Sequence, residues 1–259
     1  MNAVLALLSV VAGYLIGSIS FARLVVRVFA PRQKIQDIEI EVPDRDVSYR
    51  SDAVSATTVN LQLGPRYGCL TSILDILKVA APALALKWWQ QEPPYYLLFA
   101  AAATLGHNWP LYYRFRGGRG MSTILGGMLV ADWIGILLTT SISFAVGALL
   151  RSFYLANRLA ILLMIPWLWF RHRDWRLVAY AAAVNVMNWI AVVPEAREML
   201  RLRQEGTLND FLKARRLRVA AAEDEPTKDR LTFYGMLESF ISRARREERN
   251  PAESSDSRA

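Results

Sequence analysis

The chain has 259 residues, of which 53% are hydrophobic, and its formal net charge is +8. The apolar residues fall in long runs and the charges crowd into residues 27–66 and 196–259, which excludes the alternating pattern of a soluble domain. One cysteine, Cys69, and two histidines, His107 and His172, exclude an internal disulfide and leave no set of metal ligands, so neither metal nor cofactor is expected. The basic excess suits a lipid surface or anionic substrates. No basic stripe is interleaved with aromatics outside the hydrophobic runs, so nucleic acid is not an expected partner.

Runs of about 18 or more apolar residues read as membrane-spanning helices. The first covers residues 1–26, with Gly13 and Gly17 spaced for close helix approach. It lacks the basic start and small-residue cleavage site of a signal peptide, so a retained helix is expected. Residues 27–66 hold Pro31, Pro43 and Pro65 and read as loop, with a short strand near residues 38–42. A second span covers residues 67–89. Asp75 and Lys78 fall inside it, three apart on one face, either as a self-neutralising pair between helices or as part of a site. A short loop, residues 90–94, leads to a third span over residues 95–109.

Residues 121–150 are apolar except for Asp132, and two short spans turning near residues 131–133 are expected there. Residues 151–158 read as a loop, 159–170 as a sixth span and 177–193 as a seventh that contains Asn185 and Asn188. With seven spans the arginine-rich loops at 27–66, 114–119 and 151–158 and the tail share one side, the cytoplasmic one, and the N-terminus faces out. The cluster Arg171-His172-Arg173-Asp174-Trp175-Arg176 is the exception to that rule. In the tail, residues 196–218 and 229–249 have helical composition. Phe233, Met236, Leu237, Phe240 and Ile241 recur at helical spacing, and residues 250–259 read as disordered. The expected fold is an all-α integral membrane protein, about seven transmembrane helices around a cytoplasm-facing polar pocket. Residues 1–195 form that domain, and residues 196–259 a soluble, partly helical cytoplasmic tail.

The segment Arg116-Gly117-Gly118-Arg119-Gly120 lies between two apolar runs. Its glycines admit positive φ and close approach to a ligand, and successive N–H groups in such a turn can hold an anion. Arg116 and Arg119 add guanidinium groups that match phosphate oxygens. The run from Met121 offers a helix N-terminus to the same anion. A cytoplasmic hairpin obeying the positive-inside rule is the plainer reading of the loop taken alone.

Read together, these segments resemble the bacterial membrane glycerol-3-phosphate acyltransferases that use acyl phosphate as donor. Tyr14, Gly17 and Ser18 stand in that family's first helix pattern, with Ser20 in a proline place. Ser51, Ala56, Thr57 and Leu63-Gly64 match its serine-glycine stretch, whose glycines, asparagines and arginine are replaced here, the arginine by Leu61. Asp75 and Lys78 match a helix pair. Gly106, His107, Pro110, Phe115, Gly117, Gly118, Gly120 and Thr123 match the family's strongest signature, with Arg116 and Arg119 for lysines. Asn185 and Asn188, with Glu195 downstream, stand where the family has a His-x-x-Asn and a Glu.

The resemblance implies transfer of a fatty acyl group from acyl phosphate to glycerol 3-phosphate, giving lysophosphatidic acid in phospholipid biosynthesis at the inner membrane of a bacterial cell. The alternative is a catalytically weak paralogue that binds an anionic lipid or a protein. Acyl phosphate is already activated, so the reaction needs two phosphates held, an alcohol aimed and an oxyanion stabilised. Arg116, Arg119 and the N–H groups of Gly117, Gly118 and Gly120 suit one phosphate. Ser51, Thr57 and Lys78 suit the second phosphate or the oxyanion. Arg45 and Arg50 are candidate substitutes for the lost ligands. His107 is either a base or a structural histidine that bonds a loop carbonyl. Asn185 and Asn188 either line the site or satisfy polar groups between helices.

Overall fold

The structure is a computed structural model and describes residues 2–35, 38–41, 48–89, 94–149, 153–207 and 210. In chain order the helices are α1 Ala3–Gly17, α2 Phe21–Phe29, α3 Ala56–Leu63, α4 Pro65–Trp89, α5 Tyr95–Asn108, α6 Met121–Leu149, α7 Phe153–His172 and α8 Trp175–Gln204. Two short strands, β1 Ile38–Glu41 and β2 Ser48–Ser51, pair antiparallel between α2 and α3, with Ile38 opposite Ser51 and Glu39 opposite Arg50. β1 is the strand expected near residues 38–42. The tail stripe from Phe233 to Ile241, and Arg45, lie outside the described residues.

Four stretches are long and apolar enough to cross a membrane: Ala3–Phe29, Pro65–Trp89, Met121–Leu149 and Trp175–Gln204. α6 is bent at Asp132, whose φ of −156° and ψ of 96° are not helical, so the expected turn between two short spans is present. Counting both halves of α6 along with α5 and α7, seven apolar helical segments are present among the described residues, matching the sequence expectation.

The first predicted span is divided. Ser18 and Ser20 end α1 and start α2: Ser18 Oγ donates to the Tyr14 carbonyl at 2.8 Å, and Ser20 Oγ accepts from Arg23 N at 3.4 Å. Serine hydroxyls compete with the helix backbone in this way and favour caps. α3 was not expected; it forms because Ser55 and Thr58 make a reciprocal capping box at its start. α7 begins at Phe153, earlier than the expected loop allowed. α8 continues past Pro194 to Gln204, where charged residues extend it beyond the apolar run.

Glycine sets the closest helix contact. α1 lies on α5 with Gly13 against the Phe99 carbonyl and Gly17 against that of Ala103, and a Cβ at either position would collide with that backbone. The central core gathers Phe99, Ile124, Met128, Ile136, Met164 and Leu168 from α5, α6 and α7, all buried. A smaller cluster packs Ala22, Val25 and Val26 of α2 onto Val54 and Val59. Outward-facing Leu7, Leu8, Leu137, Ile142 and Ile190 are exposed, as a lipid-facing surface requires.

The two ends of the bundle differ. At one, the buried Asp132 carboxylate accepts from Trp167 Nε1 at 3.0 Å and from Gly135 N at 3.0 Å, and it pairs with His172 Nε2 at 3.0 Å and Arg171 Nε at 3.3 Å. Arg176 pairs with Asp174, and its hydrogen bonds hold that carboxyl below the usual carboxylate range. Asp132 and Asp174 thus engage Arg171, His172 and Arg176 at this end. Trp88, Trp89, Trp133, Trp169, Phe170 and Trp175 are exposed around this end, an aromatic belt of the kind found at a membrane interface. The glycine loop lies at the opposite end of the first half of α6, residues 121–131. At about 1.5 Å per residue that half spans only about 16 Å, near half of a ~30 Å hydrocarbon layer.

Candidate active site

The glycine loop leaves α5 at Asn108, turns through a one-turn helix at Leu111–Tyr113, and enters α6 at Met121. Arg114 and Phe115 both hold positive φ, 54° and 61°, and Gly120 holds 80°. Side chains rarely adopt two such residues in succession, so this turn is fixed by its surroundings. Phe115 N donates to the Pro110 carbonyl at 3.0 Å, and Arg23 from α2 donates to the Arg116 carbonyl at 3.0 Å while stacking on Tyr113.

The loop then folds back onto α5. Gly118 N donates to the His107 carbonyl at 3.1 Å, so this amide is not available to a ligand, contrary to the expectation for the loop N–H groups. A Cβ at Gly117 would collide with that same carbonyl, and one at Gly118 would collide with the His107 ring at Nε2. At Gly120 it would stand 2.7 Å from Asn108 Oδ1. Glycine is required here because the loop backbone lies directly on α5. The segment after β2 closes the other side: Val54 N donates to the Gly117 carbonyl at 3.0 Å. A shallow cleft between these parts is lined by Ser18, Ser20, Val54, His107, Gly117 and Gly118, among others.

Arg119 joins the loop to two distant segments. Its Nε donates to Glu195 Oε1 of α8 at 3.0 Å and its NH2 group to Asp52 Oδ1 at 3.1 Å. Ser51, buried at the end of β2, donates through Oγ to the same Glu195 oxygen at 3.0 Å. Asn188 of α8 donates to the Arg119 carbonyl at 2.7 Å and accepts from Arg158 of α7. Hydrogen bonds thus link Ser51, Arg119 and Asn188, which are separated widely in sequence. Glu195, Asp52 and Arg158 complete the group and were not among the candidate residues. Glu195 was visible as the acidic residue after Asn188; Asp52 and Arg158 carried no sequence signal.

Beneath the loop lies a second polar group. Lys78 Nζ lies 2.7 Å from Asp75 Oδ1, donates to the Ile19 carbonyl at 2.8 Å, and lies 3.1 Å from His107 Nδ1. All three side chains are buried. Asp75 and Lys78 thus pair with each other, and Lys78 also reaches the Ile19 carbonyl and His107. Four further candidates do not join either group. The Arg116 and Thr57 side chains are exposed. Asn185 donates to the Ile161 and Ala181 carbonyls at 2.9 and 2.8 Å and ties α8 to α7. Arg50 sits on β2 across from Glu39.

A family model described as "Glycerol-3-phosphate acyltransferase" matches residues 7–204, three quarters of the chain. The chain belongs to the glycerol-3-phosphate acyltransferase family. It is 32% identical over 190 residues to the glycerol-3-phosphate acyltransferase of Aquifex aeolicus, covering 65% of this chain and 92% of that one. It is 34% identical over 170 residues to that of Shouchella clausii, covering 61% and 76%. Its fold is that of PlsY, an integral membrane glycerol 3-phosphate acyltransferase whose crystal structures include lysophosphatidic acid and glycerol 3-phosphate forms. The former superposes with a TM-score of 0.61 at 24% identity, over 80% of this chain and 98% of that one. The latter does so with the same score over 76% and 93%. As a glycerol-3-phosphate acyltransferase family member and integral membrane protein, the chain places its two polar groups on either side of the family's glycine loop.

Proposed function

We propose that this protein transfers a fatty acyl group from acyl phosphate to a hydroxyl of glycerol 3-phosphate, giving lysophosphatidic acid. The hydroxyl oxygen bonds to the acyl carbon, the bond from that carbon to the phosphate oxygen breaks, and the hydroxyl proton leaves with the phosphate or a nearby substrate phosphate oxygen. The observation that carries this reading is the convergence of Ser51 and the Arg119 side chain on Glu195, with Asn188 holding the Arg119 carbonyl. In the structure a carboxylate oxygen of Glu195 accepts from Ser51 and Arg119 together, so the two donors converge on one anionic oxygen. A phosphoryl oxygen has the same requirement.

The assigned roles are these. Arg119, with Gly117, Gly118 and Gly120 shaping the loop and Asn188 holding its carbonyl, binds phosphate. Ser51 donates toward the reacting centre. Arg116 and Thr57 lie at the rim, where they meet a substrate on entry. The loop faces the cytoplasm and the aromatic belt faces outward, in the inner membrane of a bacterial cell, with residues 1–195 as the transferase domain and residues 196–259 as a cytoplasmic extension.

One observation favours the alternative, a weakly catalytic paralogue that binds an anionic lipid or a protein: Leu61 stands in the family's arginine place. Detergent-purified protein given palmitoyl phosphate and glycerol 3-phosphate decides between them. The enzyme reading expects lysophosphatidic acid and phosphate in equal amounts, with no product from acyl-CoA. Phosphate release no faster than without protein would establish the paralogue.

A further inference from the structure

His107 presents its two ring nitrogens to different surroundings. Nδ1 points into the bundle and lies 3.1 Å from Lys78 Nζ. Asp75 Oδ1, the other charged group near it, is 3.6 Å away, too far to accept a hydrogen bond. An ammonium has three hydrogens and no lone pair, so it can only donate. Asp75, the Ile19 carbonyl and His107 Nδ1 are the three acceptors arranged around it. Lys78 Nζ is paired with the Asp75 carboxylate at 2.7 Å, and read as that carboxylate's ammonium partner it leaves Nδ1 as the bare, accepting nitrogen of a neutral imidazole. The ring proton is then on Nε2, the edge that lies beside Gly118 in the cleft.

We propose that His107 acts in the cleft as a neutral hydrogen-bond donor through Nε2–H, and that Lys78, backed by Asp75, is a positioning residue that fixes this tautomer. The ligand is an oxyanion: a phosphoryl oxygen seated over Gly117 and Gly118, or the acyl oxygen as it gains charge. This assignment rests on the phosphate reading of the glycine loop, and it differs from both sequence readings of His107, a base or a structural histidine. A nitrogen that already bears its proton and faces substrate cannot accept the hydroxyl proton, and the free lone pair is held by Lys78 away from the cleft. It also makes a glutamine the closest mimic, because its terminal amide nitrogen reaches about as far as Nε2 and donates without accepting a proton.

Two measurements separate this proposal from the function reading. The first is a nitrogen NMR spectrum of the full chain in micelles with 15N-labelled histidine. The chain has only two histidines, so a His172→Asn variant assigns the spectrum. The expected result is a His107 ring held as the neutral Nε2–H form, with that proton shifting on titration with inorganic phosphate and with glycerol 3-phosphate, but not with glycerol. In Lys78→Met the two neutral tautomers should mix. A proton on Nδ1, or a spectrum unchanged in Lys78→Met, overturns the proposal whether or not the protein is an active transferase. A ring proton indifferent to both phosphates overturns the ligand assignment.

The second measurement is turnover. Loss of one oxyanion donor lowers turnover by about 10²-fold, and that is expected for His107→Ala, while His107→Gln should recover to within about tenfold of the parent. Equal loss in both variants, with the parent active and both folded, overturns the donor role.

Discussion

Asp75→Ala should destabilise the protein more than any other single substitution near the loop. The carboxylate is 2.7 Å from Lys78 Nζ and 3.6 Å from His107 Nδ1, deep between α4 and α5. Removing it leaves a buried ammonium with only a carbonyl and an imidazole for company. Breaking a buried pair by deleting one partner typically costs about 3–5 kcal/mol, while replacing both partners by apolar groups is often close to neutral. Asp75→Ala is therefore expected to lose most of its stability in detergent, and the double variant Asp75→Leu, Lys78→Met to recover the larger part of it. Thermal unfolding of Asp75→Ala, and of the cycle formed by the parent, Asp75→Leu, Lys78→Met and the double variant, checks this. Additive effects of the two single changes would show that the pair is not coupled.

Gly118→Ala is expected to abolish most turnover without unfolding the chain. The added methyl would collide with the His107 ring at Nε2, and the loop must lift from α5 to make room. Lifting it breaks the Gly118 N bond to the His107 carbonyl and moves Arg119 away from Ser51 and Asn188. Displacement of a positioning group by about 1 Å can cost 10²-fold in rate. The loop is anchored independently by Val54 N at Gly117 and by Arg23 at Arg116, so the bundle itself should persist. The measurement is initial rate alongside the thermal transition. A normal rate would mean that the loop's closure on α5 has no part in the reaction.

Much of the architecture could be read from hydropathy because lipid imposes long apolar runs. Asp132 interrupted one run too long for a single crossing, and the helix does bend there. Ser18 and Ser20 were legible as residues but not as a break, since serine within an apolar stretch is tolerated until a second element caps on it. The capping box at Ser55 and Thr58 was present in a segment that prolines elsewhere made look like loop.

The site divided along the same line. Local glycine spacing marked the loop. Only tertiary packing told the two arginines apart: Arg119 turns inward to Glu195 and Asp52, whereas Arg116 contributes its carbonyl to Arg23 and leaves its guanidinium exposed. Spacing paired Lys78 with Asp75, but no sequence pattern revealed that Ile19 and His107 close around it.

The central claim is that the glycine loop and Arg119 hold the phosphoryl end of the substrate. Titration of glycerol 3-phosphate into the purified protein, with Arg119→Gln and Arg116→Gln beside it, addresses this most directly. A charge-assisted hydrogen bond contributes about 1.5–3 kcal/mol, or roughly 10–100-fold in affinity. The expected result is saturable binding that weakens by that factor in Arg119→Gln and by much less in Arg116→Gln, with glycerol alone not bound. Equal affinity in the parent and Arg119→Gln would contradict it.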